Sequence, residues 1–324
     1  MDLMFLRSDR TPSVQQMVKD LLSESDLDVP YLALILTSCA IATFGLLSNS
    51  AAVIIGAMVI APLMLPIRAI AFAVLEGNTL LLRQGLLSLV LGTTLAVALS
   101  TVLGWLAGIE QFGSEILART QPTLLDLGVA IAAGAIGGYA KIEEKVSSTL
   151  AGTAIAVALM PPICVVGLGL AQGQWFVSQG AGLLYLTNLL GIALACMIVF
   201  WLAGYAPFAQ ARRPLLAAGV LTSFLILPLG IRFGQLTQQA RLESRLRTAL
   251  LNRTITFQQL ELTNLQTQWR TTPPTVRLQV NAKQAVTPRQ VELLEAFLAR
   301  EMGQSFRLVF IVSYVEEVTA PTPK

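Results

Sequence analysis

Long apolar runs separated by short polar stretches fill the first two thirds of the chain, and the pattern changes near residue 232. Apolar runs of about 17–25 residues match the ~30 Å thickness of a bilayer core. They fall at residues 31–47, 51–75, 84–109, 125–140, 147–171, 180–204 and 214–231, and each predicts a membrane helix. Ahead of them, Val14, Met17, Val18, Leu21 and Leu22 share one helical face. This predicts a short amphipathic helix lying on or beneath the membrane, a flexible polar leader being the alternative. Beyond residue 232 the periods shorten. Thr237–Leu250 reads as helix, and 252–262 reads as a strand whose alternation slips by one residue at Gln258–Gln259, the mark of a bulge. Val276, Leu278 and Val280 alternate as a second strand, and Phe306 to Tyr314 as a third. Between them Thr287-Pro288-Arg289-Gln290 forms a capping box with proline at the first helical position, and Gly303 stops that helix. The order αββαβ predicts a small α+β domain with helices on one sheet face.

One apolar segment recurs without a gap. Gly56–Asn78 and Gly152–Gln174 lie 96 positions apart, and Gly56/Gly152, Leu63/Leu159, Met64/Met160, Pro66/Pro162, Ile67/Ile163 and Gly77/Gly173 coincide. At that offset the first three spans map onto the next three. Three crossings per unit start the second copy on the opposite face, giving two inverted repeats with proline-broken second helices. Such breaks are the best sequence pointer to a site at a repeat interface.

Composition agrees with a membrane class. The chain is 54% hydrophobic and 13% charged, with a mean hydropathy of +0.67, too apolar for a soluble globular protein. No secretory signal pattern precedes the first span, because residues 1–30 are polar and carry six acidic groups; an uncleaved anchor is expected. Cys39, Cys164 and Cys196 all fall inside apolar spans and read as small buried hydrophobes. The absence of histidine removes His-based metal sites and Ser-His-Asp catalysis.

Loop charge discriminates between topologies. With seven full crossings one side collects Arg7, Arg10, Lys19, Arg83, Lys141, Lys145, Arg212 and Arg213, and the other only Arg119 before the C-terminal domain. If the two proline-broken segments are re-entrant hairpins, the tally becomes six against three. The positive-inside rule favours seven crossings with a cytoplasmic N-terminus, in a bacterial cytoplasmic membrane. Both topologies place the C-terminal domain outside.

Within the spans, Pro62, Pro66, Pro161 and Pro162 remove backbone donors, and the freed groups must be buried in protein or line a wet cavity. The functional reading is a pair of discontinuous helices aimed at a solute; the bland one is a pair of accommodated kinks. Arg68 is the only formal charge well inside a span. It marks a pathway, or else it snorkels or pairs with Glu76. Its mate at the 96-residue offset is Cys164. Thr93, with Thr94, and Asn188, with Thr187, offer uncharged ligands, or serve as hydrogen-bond glue between helices. Gly104/Gly108 and Gly134/Gly138 read as packing positions. Glu76, Glu110, Asp126, Glu143 and Glu144 sit at span ends, which disfavours a carboxylate proton relay. No Walker A sequence occurs.

The stretch from Ser48 to Ile67, SNSAAVIIGAMVIAPLMLPI, and the later ALMPP followed by GLGLA resemble the bacterial and archaeal integral membrane family called domain of unknown function 389. The resemblance covers residues 30–205 and implies a multi-pass membrane protein with no assigned substrate, reaction or cofactor. The expected organisation is a leader over 1–30, repeats over 31–110 and 125–206, a seventh span over 214–232, an α+β domain over 236–318, and a disordered tail over 319–324. The expected function is passage of a small solute or ion, an anion by preference because Arg68 cannot lose its charge. The alternative is a non-transporting scaffold or sensor whose exterior domain binds a partner. An intramembrane enzyme lacks a nucleophile–base pair. Expected partners are the lipid bilayer and a small anionic solute, with a homo-oligomer left open; neither nucleic acid nor a cofactor is expected.

Overall fold

The computed structural model describes residues 12–108, 111–143, 146, 159–253, 260–268, 273–282 and 286–314. Arg7, Arg10, Glu110, Glu144, Lys145, residues 147–158 of the fifth expected span, residues 254–259 of the first expected strand, and the 319–324 tail lie outside them. The chain divides into two compact units, residues 1–233 and 234–324.

The first unit is helical. Its elements are α1 (Val14–Glu24), α2 (Val29–Leu47), α3 (Ala51–Ile60), α4 (Met64–Glu76), α5 (Thr79–Ala107), the short α6 (Ser114–Leu117), α7 (Leu124–Ile142), α8 (Met160–Ala171) and α9 (Trp175–Leu202), followed by α10 (Phe208–Arg253), which runs on into the second unit. Among the described residues five helices are long and apolar enough to cross a membrane: α2, α5, α7, α9 and the Phe208–Ile231 part of α10. The bent pair α3–α4, meeting at 49°, makes a sixth if it is one span. α5 and α9 begin five residues before their expected apolar runs. In α5 this is because Asn78 caps the helix by accepting from Leu81 N at 3.0 Å, upstream of polar Arg83 and Gln84. At about 1.5 Å per residue, each of these helices is longer than a ~30 Å core, so it tilts or protrudes.

Large apolar side chains cover the outside of this unit. Phe44, Val59, Val90, Val129, Leu216 and Phe224 are all exposed, the reverse of a soluble protein and the surface that lipid tails solvate. Trp105, Trp175 and Phe176 are exposed at one end of the bundle, where aromatic side chains anchor a membrane interface.

The interior is held by close approach and aromatic packing. Phe72 of α4 meets Phe200 of α9 and Tyr205 edge-on, with ring centroids 5.3 Å apart in each case. Gly167 lets α8 lie directly on α5, where an added Cβ would strike Ser100 and the backbone of Val97 and Thr101. Gly134 does the same for α7 on α9 at Ile192. Gly104 packs on Leu168 and Gly138 on α9, as expected. Gly108 differs: it is the left-handed C-cap of α5 at φ +60°, with open space beside it.

Hydrogen bonds pin the helix ends into two groups. At one end, Gln84 donates to Leu22 O at 2.9 Å, Tyr205 OH to Pro12 O at 3.0 Å, and Gln210 to Glu76 O at 2.7 Å. At the other, Asn49 donates to Ser114 at 3.2 Å and Gln172 to Gly104 O at 3.1 Å.

The second unit is α+β. Its sheet has the order β1 (Leu260–Gln268), β2 (Thr275–Ala282), β3 (Arg307–Tyr314), with β1–β2 antiparallel and β2–β3 parallel. The parallel pair is joined through α11 (Pro288–Met302), whose capping box at Thr287 and Gln290 and C-cap at Gly303 are as read. Leu246 and Leu250 at the end of α10 join Val276, Leu278, Val280, Leu294, Leu298 and Phe306 in one core. The first strand lies later than expected, and its described bulge falls between Leu262 and Asn264. That extra residue lets Leu262 and Leu265, an odd number of positions apart, both pack on this core.

Candidate functional site

The amphipathic stripe near the N-terminus is a docked helix, not a flexible leader. Ser13 caps α1 by accepting from Gln16 N, and Met17 and Leu21 are fully buried among the membrane helices. Gln84 and Ser88 of α5 donate to Leu22 O and Ser25 O, at 2.9 and 2.5 Å, where the last carbonyls of α1 lack intrahelical partners. The position of α1 is therefore fixed from both its apolar face and its C-terminus.

That docking delivers two carboxylates into the bundle. Glu24 Oε2 accepts from Arg68 Nη2 at 3.2 Å, and Glu24 Oε1 from Lys141 Nζ at 2.7 Å. Asp20, one turn earlier, lies 3.7 Å from Lys141 Nζ. The side chains of Arg68 and Lys141 are only 14% and 15% exposed, and that of Glu24 29%, so screening is weaker than at an open surface. Together the Glu24 contacts are worth about 2 kcal/mol, between the surface and buried limits. Arg68 stands in the second turn of α4, where the positive helix end disfavours a cation unless an anion offsets it. Lys141 stands in the last turn of α7, where the dipole favours it. Arg68 Nε is buried and has no acceptor among the described residues.

Arg68 thus pairs with Glu24 and not with Glu76, whose backbone carbonyl is held by Gln210. The sequence signal for Glu24 was present. Met17, Asp20, Leu21 and Glu24 follow i, i+3, i+4, i+7 spacing, so both carboxylates lie on the same stripe as the buried apolar residues. Lys141 had been counted only as loop charge.

The prolines stand in the first turns of helices or, at Pro62, in the break of the bent α3–α4 pair. Pro62 lies in the Ala61–Leu63 break, Pro66 in the first turn of α4, and Pro161 and Pro162 in the first turn of α8. The donors they lack are ones that a helix start leaves unpaired anyway. All four are buried. Cys164 Sγ sits 3.7 Å from Cys39 Sγ of α2 in a fully buried contact, and Cys39 donates to Ala96 O at 3.2 Å. Thr93 of α5 shares a 2.8 Å hydrogen bond with Tyr185 OH of α9, while Thr94 is exposed and bonds back to Val90 O. Asn188 and Thr187 are buried in α9. The seven residues expected at the site therefore do not share one set of contacts. Arg68 binds Glu24 of α1, which also meets Lys141 of α7, the Pro161–Cys164 turn meets α2, and Thr93 ties α5 to α9. No cluster of metal-ligating residues occurs among the described residues.

Apolar membrane-length helices, lipid-type outer surfaces and a partly buried charge cluster define a multi-pass α-helical membrane protein. Residues 58–194 are similar to the family described as domain of unknown function (DUF389). An uncharacterized protein of Methanocaldococcus jannaschii is 26% identical over 189 residues, which are 58% of this chain and 59% of that protein. No solved structure matches.

Proposed function

We propose that the protein passes a small anionic solute across the membrane, as a transporter or channel built from two inverted three-span repeats. The carrying observation is the convergence of Arg68 and Lys141 on a single carboxylate inside the helical bundle. Two cations that bind one carboxylate suit a carboxylate or another small oxyanion, and a guanidinium keeps its charge at any working pH.

Helix boundaries support the repeat. α4 and α8 begin at Met64 and Met160, and α5 and α9 at Thr79 and Trp175, both pairs 96 residues apart. The end contacts support full crossings by the described helices. Residues 12, 22, 76, 84, 205 and 210 share one end, and residues 49, 104, 114 and 172 the other. Chain direction then alternates through α2, α3–α4, α5 and α7, and again through α9 and α10, which disfavours a re-entrant hairpin at α3–α4. The end carrying α1 also holds Lys19, Arg83, Lys141, Arg212 and Arg213, which makes it cytoplasmic by the positive-inside rule.

Reconstituted protein should take up formate or phosphate and leave Na⁺ and K⁺ impermeant; Na⁺ or K⁺ permeation without oxyanion uptake overturns the proposal. A reporter fused after residue 78 should lie on the N-terminal side; the opposite side would restore the re-entrant topology. The rival scaffold or sensor reading is favoured by one feature, the exposed Val309 and Ile311 on the sheet face away from the core. It predicts no solute flux at all.

A further inference from the structure

We propose that α1 is a built-in gate, its Glu24 carboxylate acting as a tethered competitor for the oxyanion on Arg68 and Lys141. The inference rests on the anion reading of Arg68 and adds its regulation and the geometry of its ligand.

Glu24 makes a poor permanent ligand. It engages Arg68 end-on through Nη2 alone, while the adjacent Nε is buried with no acceptor among the described residues. A planar or tetrahedral oxyanion approaching side-on would take Nε and Nη2 together, the bidentate geometry that a guanidinium favours. Glu24 is also the last residue of α1, where the negative helix end disfavours a carboxylate. Its binding is rescued only by the two cations that it occupies. The rest of α1 is held by contacts that can be remade. These are the Met17 and Leu21 side chains, two hydrogen bonds to its C-terminal carbonyls from Gln84 and Ser88, and the Tyr205 bond to Pro12 just ahead of it. An oxyanion that displaces Glu24 removes the main charge contact and biases α1 toward release. By reciprocity, release of α1 raises the affinity for the oxyanion.

The test uses the full chain in liposomes, with Met17→Cys as a reporter on the buried face of α1 and a membrane-impermeant maleimide as the probe. The three native cysteines are buried and serve as the unlabelled background. Labelling should be slow in the reporter protein and about tenfold faster with Glu24→Gln, the factor for about 1.4 kcal/mol of lost docking. Formate or phosphate should accelerate it saturably, beyond chloride at equal ionic strength. Ser88→Ala with Gln84→Ala, which leaves the charge cluster intact, should also accelerate it. Formate and phosphate uptake should rise with Glu24→Gln. Uptake that depends on Arg68 but is indifferent to Glu24→Gln, with unchanged labelling, overturns the gate and leaves the anion site standing. No oxyanion effect on labelling and no uptake in any variant overturns both. A Glu24→Gln protein that does not fold is replaced by Asp20→Asn, which weakens only the Lys141 contact and should accelerate labelling to a smaller degree; unchanged labelling there also overturns the gate.

Discussion

The starts of α4 and α8 occupy corresponding places in sequence and are chemically opposite. Arg68 and Cys164 stand 96 positions apart, each a few residues into a helix opened by proline. At α4 the residue is a cation, partly accessible, and held by a carboxylate from an amphipathic helix at the charged end of the bundle. At α8 it is a thiol with no exposure, against another thiol of α2. Similar backbone settings therefore carry a charged contact that can exchange and a dry one that cannot. What differs is the neighbour: α1 covers one start, and α2 the other.

The comparison can be broken most severely at the dry position. Cys164→Arg puts a guanidinium where no carboxylate stands among the described neighbours, an uncompensated buried charge that costs about 3–5 kcal/mol. Loss of monodisperse protein on size exclusion is expected, whereas Arg68→Cys should remain folded. Next in size is the packing of the two helices on α5. Gly167→Val drives side-chain atoms into the backbone of α5 and should cost about 3 kcal/mol, the upper end for overpacking. Gly85→Ala meets Ile70 Cγ1 at 3.0 Å and the Pro66 carbonyl at 3.2 Å, tight but without overlap as deep as at Gly167, and should cost about 1 kcal/mol; thermal unfolding in detergent ranks the two. Between those two falls the charge contact. Glu24→Gln should destabilise by about 2 kcal/mol and Glu76→Gln by less than about 0.5, the reverse of what an Arg68–Glu76 pair requires. Level with Gly85→Ala is the thiol contact: Cys39→Ala should cost about 1 kcal/mol, since it removes one sulfur and its weak hydrogen bonds.

The membrane helices were legible in sequence, because apolar run length reports directly on them, whereas the prolines read as mid-span breaks and three of them stand in first turns. The αββαβ order, the Thr287 capping box and the Gly303 stop were readable for the same local reason. Glu24 was harder. It contacts Arg68 across 44 residues and Lys141 across 117, and periodicity gives no distance between elements. The clue was an acidic residue on an apolar stripe, which shows that something cationic must receive it without saying what. Gly108 was misread for a related reason: four-residue spacing suggests packing, but only the backbone reveals a left-handed cap. The bulge between Leu262 and Asn264 was not read, and the slip expected at Gln258–Gln259 lies outside the described residues.

Oxyanion uptake by the folded Arg68→Gln protein, run beside the wild type and Lys141→Gln in proteoliposomes, tests the central claim most directly. Uptake of formate or phosphate should fall to the protein-free rate with Arg68→Gln, and about tenfold or more with Lys141→Gln, the loss of a charge-assisted contact. Wild-type uptake in Arg68→Gln, or Na⁺ or K⁺ permeation indifferent to it, would contradict an anion site at the start of α4.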